Sequence, residues 1–284
     1  MILSIASGKG GTGKTTVAVN LALSLPKGTV QLIDCDVEEP NAHLFLNPTL
    51  SQATSVGMPV PRIDEAKCTY CGQCVKVCEY HAIAVILKTV LVFDELCHGC
   101  GACSYLCPEK VIHEVDREIG AVREGSANGI SFVHGVLNVG EPMASPLIRK
   151  VKERIQKDKT VILDAPPGTA CPVIETVKGS DFCLLVTEPT PFGLNDLELA
   201  VGMLEQLGIR MGVVVNKSDI GDRKVWDYCK KKAIPILMEI PMDRRIAESY
   251  SKGIPMVADN PSYIRKFRNL FDKVEELCGR RPNE

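Results

Sequence analysis

A glycine-rich segment near the start of the chain has the residue types and spacing of a phosphate-binding loop. It reads Ser7-Gly8-Lys9-Gly10-Gly11-Thr12-Gly13-Lys14-Thr15-Thr16, between an apolar run at 2–6 and an apolar helical pattern at 17–25. Glycines allow successive N–H groups to turn toward a phosphate, and the helix N-terminus adds partial positive charge. Lys14 can then reach the β- and γ-phosphates, and Thr15 can ligate Mg²⁺. The predicted nucleotide-binding residues here are Gly8, Gly10, Gly11, Thr12, Gly13, Lys14, Thr15 and Thr16.

Eight of the thirteen cysteines form two runs with the same internal spacing. The runs are Cys68-x2-Cys71-x2-Cys74-x3-Cys78 and Cys97-x2-Cys100-x2-Cys103-x3-Cys107, offset by 29 residues. Because structural disulfides are rare in the cytosol, this density of cysteines indicates metal binding. Structural zinc is the alternative, but zinc usually takes two separated C-x2-C pairs, which these runs do not resemble.

Polar residues follow several predicted strands, and ligands bind at the carboxyl ends of strands in open α/β sheets. Asp34-Cys35-Asp36 follows the strand at 29–34, and Asp164 ends the strand at 160–164. Gly168 comes four residues later, so we expect Asp164 to support the Mg²⁺ shell and the Gly168 N–H to sense the γ-phosphate. Two further loops, Asn216-Lys217-Ser218-Asp219 and Pro241-Met242-Asp243, follow the strands at 211–215 and 234–240.

The K-G-G-x-G-K-T run, with its additional Lys9, resembles the deviant P-loop ATPases, the MinD, ParA, Mrp and nitrogenase iron-protein class. The resemblance implies a homodimer in which Lys9 reaches the partner's ATP, rather than a lysine that is merely solvated. It implies that Asp36 lies in the first switch, where it positions water or contacts the Mg²⁺ shell. The catalytic residues are then Lys9, Lys14, Asp36 and Asp164.

The same resemblance bears on which base is bound. An N-K-x-D run suggests base recognition, and GTP is the alternative because the aspartate selects guanine in full GTPases. In the resembled class the matching asparagine, Asn216, contacts adenine, which favours ATP. The base-side set is Asn216, Lys217, Asp219, Pro241 and Asp243.

The repeated cysteine run resembles the bacterial ferredoxin that holds two [4Fe–4S] clusters. This implies that the fourth cysteine of each run ligates the other cluster. One cluster is then held by Cys68, Cys71, Cys74 and Cys107, and the second by Cys97, Cys100, Cys103 and Cys78. The nearby His81 and His98 are expected to be packed or solvated, since eight cysteines already satisfy two clusters. Unlike Cys107, Cys78 is not followed by proline.

The order of patterns predicts an α/β fold with a doubly wound, mainly parallel sheet and an inserted α+β ferredoxin-like domain. The expected boundaries are 1–58 and 117–284 for the ATPase domain and 59–116 for the insert. Residues 47–61, rich in Pro, Ser, Thr and Gly, suggest a linker. The insert has eight acidic and five basic residues, so basic partners are expected. The final helix, 263–277, has a wide apolar stripe typical of packing on the sheet rather than on a membrane.

The net charge of −2 gives no electrostatic case for nucleic acid, and no apolar stretch reaches the length of a membrane span. We expect a cytoplasmic protein whose partner is a redox protein or an apo iron–sulfur protein. Three functions fit: ATP-gated electron transfer, iron–sulfur cluster assembly or delivery, and a positioning ATPase that senses redox state. The C-x2-C pair of Mrp-type carriers is missing, although Cys35 or Cys171 could contribute a shared site.

Overall fold

The structure is a computed structural model and describes residues 1–279 of the 284-residue chain. Within these residues the strands are β1 Ile2–Ala6, β2 Val30–Asp34, β3 Thr49–Leu50, β4 Thr54–Ile63, β5 Ile83–Ile86, β6 Thr89–Val92, β7 Ile112–Ala127, β8 Ile130–Leu137, β9 Thr160–Asp164, β10 Phe182–Thr187, β11 Met211–Asn216 and β12 Ile236–Ile240. The helices are α1 Lys14–Ser24, α2 Ala42–Leu46, α3 Gln73–Lys76, α4 Ala102–Tyr105, α5 Ser145–Lys152, α6 Cys171–Val177, α7 Pro191–Leu207, α8 Lys224–Lys231, α9 Arg244–Ser251, α10 Met256–Asp259 and α11 Ser262–Leu277.

Seven strands form a parallel sheet in the order β12, β11, β10, β1, β9, β2 and β8. Strand β1 lies inside this sheet, between β10 and β9, and its burial on both sides explains its nearly continuous apolar sequence. Because all seven strands run the same way, the segments that follow β1, β2, β9, β11 and β12 meet at one edge. The prediction of a mainly parallel sheet is confirmed.

Helices cover both faces of the sheet. On one face, α1, α10 and α11 bury an apolar cluster that includes Leu21, Met256 and Phe267. On the other face, α6, α7 and α8 bury a second cluster that includes Val173, Leu204 and Val225. The last helix packs against α1 as its apolar stripe predicts, and burying these side chains removes apolar surface from water.

Beyond β8 the sheet becomes antiparallel and extends away from the parallel core. The 16-residue strand β7 pairs with β8 over residues 120–127 and with β4 over residues 112–122. We call β4 and residues 112–122 of β7 the stalk. Residues 64–111, which we call the cysteine module, connect β4 to β7 at the far end of the stalk and contain all eight cysteines of the two runs.

The expected linker at 47–61 is wrong, because most of it forms β3 and β4. Proline cannot donate to a β-ladder, which is why the sequence read as a linker. Among residues 1–279, strand β4 pairs with β7 alone, so its other edge is free of ladder partners and tolerates Pro59 and Pro61. The expected boundaries at residues 59 and 116 lie inside β4 and β7, so the stalk joins the module to the sheet by continuous strands.

Candidate nucleotide cleft and cysteine sites

The glycine-rich loop follows β1 and ends where α1 begins, at Lys14. Gly11 and Gly13 adopt φ angles of 76° and 97°, in the left-handed region that favours glycine. A side chain at Gly13 would also collide with Asn216, whose Nδ2 lies 2.7 Å from the position of a Cβ atom. The loop therefore wraps the N-terminus of α1, where backbone N–H groups can bind phosphate.

A cleft of about 370 Å³ opens over this loop, within the size range of small-molecule sites. Eleven of the predicted residues line it: Gly10, Gly11, Gly13, Lys14, Thr15, Thr16, Asp36, Asn216, Lys217, Pro241 and Asp243. Sequence reasoning missed the apolar wall formed by Ile246, Ala247 and Tyr250 of α9 and by Met256. Its helical spacing was a usable signal, but nothing in the sequence indicated that α9 faces the loop.

Lys14 and Asp36 line the cleft, and Asp34 and Asp164 are buried close enough to Lys14 to act on its charge. Burial lowers the pKa of Lys14, and the charges of Asp164, Asp36 and Asp34 oppose that change. Burial raises the pKa of Asp36 to about 6 and that of Asp164 to about 7. Burial also raises the pKa of Asp34 well above its usual range. A cation bound beside these carboxyl groups would favour their ionised forms.

Asp164 fits the predicted role in binding a divalent cation. Neither of its buried carboxylate oxygens has a hydrogen-bond partner of good geometry within residues 1–279. The Thr15 hydroxyl lies close enough to oppose the rise in the pKa of Asp164. Carboxylate and hydroxyl oxygens are hard ligands suited to Mg²⁺, so Thr15 and Asp164 would hold it directly or through water.

Asp34 has a structural role that the sequence did not reveal. Its carboxylate accepts hydrogen bonds from the N–H groups of Asp36, Asn41 and Ala42 at 3.1, 3.0 and 3.0 Å. These bonds fold residues 34–42 into a tight turn and direct Asp36 to the cleft. We call residues 34–42 the D-x-D turn.

The base-side residues also make contacts within the protein. Asn216 Nδ2 donates to the Thr12 carbonyl at 2.8 Å, and Asn216 Oδ1 accepts from the Lys217 N–H at 3.0 Å. Lys217 forms an ion pair with Glu188 at 2.6 Å. Asp219 is not among the lining residues of the cleft and accepts from the Met242 N–H instead. The Asp219 carboxylate thus ties together the loops after β11 and β12, while base contact by Asn216 stays a prediction.

Six predicted residues lie apart from the lining of the cleft among the described residues: Gly8, Lys9, Thr12, Asp164, Gly168 and Asp219. Gly8 packs against α7, where a Cβ atom would lie 2.2 Å from the Asp196 carbonyl oxygen, so glycine serves packing here. The Gly168 N–H donates to the Ser7 carbonyl at 3.0 Å, and sensing of the γ-phosphate would require that bond to open. Lys9 lies beside Gly8 and α7, and its reach to a partner's ATP stays a prediction. Thr12 is buried next to the loop.

The eight cysteines line two separate cavities in the cysteine module. One is lined by Cys68, Cys71, Cys74 and Cys107, and the other by Cys78, Cys97, Cys100 and Cys103. These are the two sets that the ferredoxin resemblance implies. The cavity with Cys78, Cys97, Cys100 and Cys103 is also lined by Pro59 and Pro61 of the stalk, and we call it the proximal site. The cavity with Cys68, Cys71, Cys74 and Cys107 is lined by Ile63 at the end of the stalk, and we call it the distal site.

The backbone repeats with the sequence. Positive φ angles occur in three pairs offset by 29 residues: Tyr70 and Gly99, Gly72 and Gly101, His81 and Lys110. The N–H of Tyr70 donates to Cys68 Sγ and that of Gly99 to Cys97 Sγ, both at 3.4 Å. Such bonds stabilise thiolate ligands. Four thiols surround each cavity, and backbone N–H groups bond to Cys68 in the distal site and to Cys78 and Cys97 in the proximal site. This donor set would suit a [4Fe–4S] cluster in each site.

All thirteen cysteines are free thiols. Within residues 1–279, no group of three or more His, Cys, Asp or Glu side chains is arranged to hold a single metal ion. His98 stacks on Tyr80, with ring centroids 3.4 Å apart, and both rings line the proximal site. Cys35 is fully buried in the D-x-D turn, whereas Cys171 is exposed at the start of α6.

A sequence profile of the CobQ/CobB/MinD/ParA nucleotide-binding domain matches residues 3–256. The chain belongs to this family. It is therefore a P-loop ATPase of the MinD/ParA type. Its fold is similar to that of the septum site-determining protein MinD with Mg-ADP from Pyrococcus horikoshii. The TM-score is 0.60 at 20% identity, covering 98% of this chain and 97% of that one.

Two similar proteins come from Methanocaldococcus jannaschii. An uncharacterised protein is 33% identical over 283 residues, which cover 98% of this chain and 97% of the relative. A protein named iron–sulfur cluster carrier protein is 24% identical over 300 residues, which cover 96% of this chain and 83% of the relative. No helix within residues 1–279 is long and apolar enough to cross a membrane.

Proposed function

We propose that this ATPase couples its nucleotide switch to electron transfer through two [4Fe–4S] clusters held in the proximal and distal sites. The observation that carries the proposal is the pair of four-thiol cavities on a stalk continuous with the ATPase sheet. The stalk joins the sheet beside β8, and β8 pairs with β2, the strand that ends in the D-x-D turn. A movement of that turn therefore begins close to the base of the stalk.

In the nucleotide cleft, the residues act mainly by position and charge, as is usual in phosphoryl transfer. Lys14 places its ammonium at the phosphates, Thr15 and Asp164 support Mg²⁺, and Asp36 orients the attacking water. Burial raises the pKa of Asp36 only to about 6, so this carboxyl group is mostly ionised at neutral pH. The phosphates of ATP and the bound Mg²⁺ would replace the water excluded from these buried charges.

The active form is proposed to be a homodimer. Lys9 of each protomer acts on the ATP of the other, which is supported by the K-G-G-x-G-K-T signature and by the position of Lys9 outside the lining of its own cleft. Lys9→Ala should therefore remove ATP hydrolysis, and mixing it with Lys14→Ala protein tests whether the two lysines act in different protomers.

In the cysteine module, the chain supplies eight thiolate ligands and the N–H groups that bond to their sulfurs. Bound [4Fe–4S] clusters would each accept and release one electron, with a potential set by hydrogen bonds and by solvent around the sulfurs. Cys71 and Cys100 are exposed, so each site has an open side toward a redox partner. The acidic charge of the surrounding segment favours a basic partner.

Anaerobic purification with both clusters reduced provides the test. Oxidation of the clusters by an added soluble electron acceptor is followed with ATP, with ADP and without nucleotide, in the presence and absence of an apo iron–sulfur protein that can accept iron. Nucleotide-dependent oxidation with all iron retained supports electron transfer. Oxidation at one rate in all three nucleotide states contradicts it.

Cluster delivery is the second candidate, since several relatives at 24% identity are named iron–sulfur cluster carrier proteins. In the same experiment, delivery predicts that iron moves to the apo acceptor and that ATP accelerates this transfer. The backbone N–H bonds to Cys68, Cys78 and Cys97 count against release from the module, because they stabilise the ligated form.

A further inference from the structure

The proximal and distal sites differ in how they are joined to the nucleotide cleft. The connection to the proximal site begins at Val37 in the D-x-D turn, directly after Asp36. Val37 is 1% exposed, and its carbonyl accepts a hydrogen bond from the Leu137 N–H at 2.8 Å. Its Cγ1 lies 2.6 Å from where a Cβ atom on Gly135 would be. The end of β8 must therefore move if Val37 moves.

Four residues beyond Leu137, the chain is fastened to the stalk. Both carboxylate oxygens of Glu141 accept hydrogen bonds from the Arg117 guanidinium, one of them at 2.8 Å. The two side chains are only 12% and 19% exposed, so the pair is poorly screened by solvent. Glu141 is the main cause that raises the pKa of Arg117, and the charges of Asp94 and Glu95 add to it. Arg117 thus lies between the ATPase domain and the cysteine module.

A second bidentate pair continues to the proximal ligand loop. Arg62 of the stalk donates to both oxygens of Asp94 at 2.8 and 2.6 Å. The Asp94 carbonyl accepts from the Cys97 N–H at 3.2 Å. The position of this proximal cysteine is therefore tied to the stalk through one residue.

Apolar packing follows the same route. One buried cluster contains Cys35 and Val37 of the D-x-D turn, Met58 of the stalk and Cys97 of the proximal site. A Cβ atom on Gly99 would lie 3.0 Å from Met58 Cγ and 3.1 Å from the Pro59 oxygen, so this loop rests directly on the stalk. Close-packed interiors transmit displacement because they have little free volume.

The distal site lacks this connection within residues 1–279. It meets the stalk only at the end, where Ile63 and Ile112 line the cavity. None of its four cysteines belongs to the buried cluster that reaches Val37. The difference is informative because the two ligand loops are otherwise repeats with the same backbone turns.

We propose that the nucleotide state acts selectively on the ligand loop of the proximal site, through Val37, Glu141–Arg117 and Arg62–Asp94, and leaves the distal site unchanged. This regulation rests on the proposed function, because it assigns different responses to its two sites. A nucleotide can shift the D-x-D turn between two positions only if it binds the protein more tightly in one of them. The element with two positions is that turn, and the stalk carries its displacement to the Cys97 loop.

Amide hydrogen exchange on the intact, cluster-loaded protein tests the proposal, with a non-hydrolysable ATP analogue, with ADP and without nucleotide. Residues 94–101 report on the proximal loop, and residues 65–72, at the equivalent repeat position, are the internal control. We expect exchange at 94–101 to differ about threefold or more between the ATP analogue and ADP, with little change at 65–72. Equal responses of the two loops, or a response of the distal loop alone, overturn the proposal.

Two variants remove the same link from opposite sides. Arg117→Gln and Glu141→Gln should each abolish the nucleotide response at 94–101. Arg117→Lys should retain part of the response, because lysine keeps the positive charge but lacks the planar guanidinium that binds both carboxylate oxygens. Arg154→Gln is the matched control, since it removes an arginine from a more exposed pair with Glu124. A full response in both Arg117→Gln and Glu141→Gln overturns the route.

Failure of this inference and failure of the proposed function give different results. Nucleotide-dependent oxidation with equal responses of the two loops leaves electron transfer standing and overturns the selective regulation. A selective response at 94–101 without nucleotide-dependent oxidation supports the regulation and contradicts electron transfer.

Discussion

The nucleotide cleft and the cysteine module are built in different ways. The cleft lies at the edge of a sheet that is covered by two apolar clusters containing no residue of the module. The module has only five hydrophobic side chains that are buried, and two of them are cysteines of the proposed cluster sites: Ala82, Ile83, Cys97, Cys107 and Val111. Small domains with so little core usually need metal or disulfides to fold. The ATPase part should therefore be stable by itself, and the module should depend on its clusters.

The largest effect expected within this comparison is on catalysis. Lys14→Ala should reduce ATP turnover by roughly 10³-fold, because the buried ammonium that stabilises the phosphates is lost. Iron content should not change, since the module folds around its own ligands. Turnover and iron are measured on the same preparation, with Lys27→Ala as the control. Normal turnover by Lys14→Ala would contradict the assignment of this loop.

Removal of iron should destabilise the cysteine module but not the ATPase part. Anaerobic chelation is expected to abolish protection of amides across residues 64–111, while the melting temperature of the ATPase part moves by less than about 3 °C. Trp226, the only tryptophan, lies in α8 and reports the ATPase part alone. A module that keeps its protection without iron would show that its fold does not depend on clusters.

The fourth cysteine of each run is assigned to the cluster of the other run, and single substitutions test that assignment. Cys78→Ala should remove the proximal cluster and Cys107→Ala the distal one, so that each variant retains about half of the iron. Cys171→Ala is the control and should retain all of it. Perturbation of the Cys97 loop by Cys107→Ala, seen in amide exchange, would reverse the assignment of the fourth ligands.

The cleft, unlike the module, should show a dependence on pH from its carboxyl groups. Burial raises the pKa of Asp164 to about 7 and that of Asp36 to about 6, from the ordinary aspartate value of 3.8. The folded protein thus binds protons more tightly than the unfolded chain, so its free energy of unfolding falls as pH rises from 4 to 7 and levels off above. Without nucleotide, the melting temperature followed by Trp226 should fall by roughly 3–10 °C over this interval. Asp164→Asn should flatten the curve, and an unchanged slope would contradict the high pKa.

The smallest effect concerns the hairpin of the module. Leu87 is 92% exposed with a φ of 54°, a conformation that costs energy for leucine. Leu87→Gly should stabilise the module by about 0.5–1 kcal/mol, seen as slower loss of iron on heating. Lys88→Gly, at the neighbouring position, should have the opposite sign.

Local patterns in the sequence were enough to predict the phosphate-binding loop, the two cysteine sets and the parallel sheet. The glycine loop and the two cysteine runs are each contained in a short segment, so their spacing alone constrains the backbone near the ligand. The alternation of apolar strands with helices likewise predicted the mainly parallel sheet and placed Asp36, Asp164 and Asn216 at strand ends. All three lie at or beside the cleft that the structure forms.

The tertiary structure decided which of these groups are free to bind and which are occupied. The Gly168 N–H bonds to Ser7, Asp219 to Met242, and Gly8 is required by α7, because residues far apart in sequence pack there. The stalk was hidden for the same reason: β4 contains prolines that only an edge strand accepts, and edge position depends on partners elsewhere in the chain. From the cysteine repeat alone, the two sites are indistinguishable. Only the packing of one of them against Met58 and Pro59 made them different.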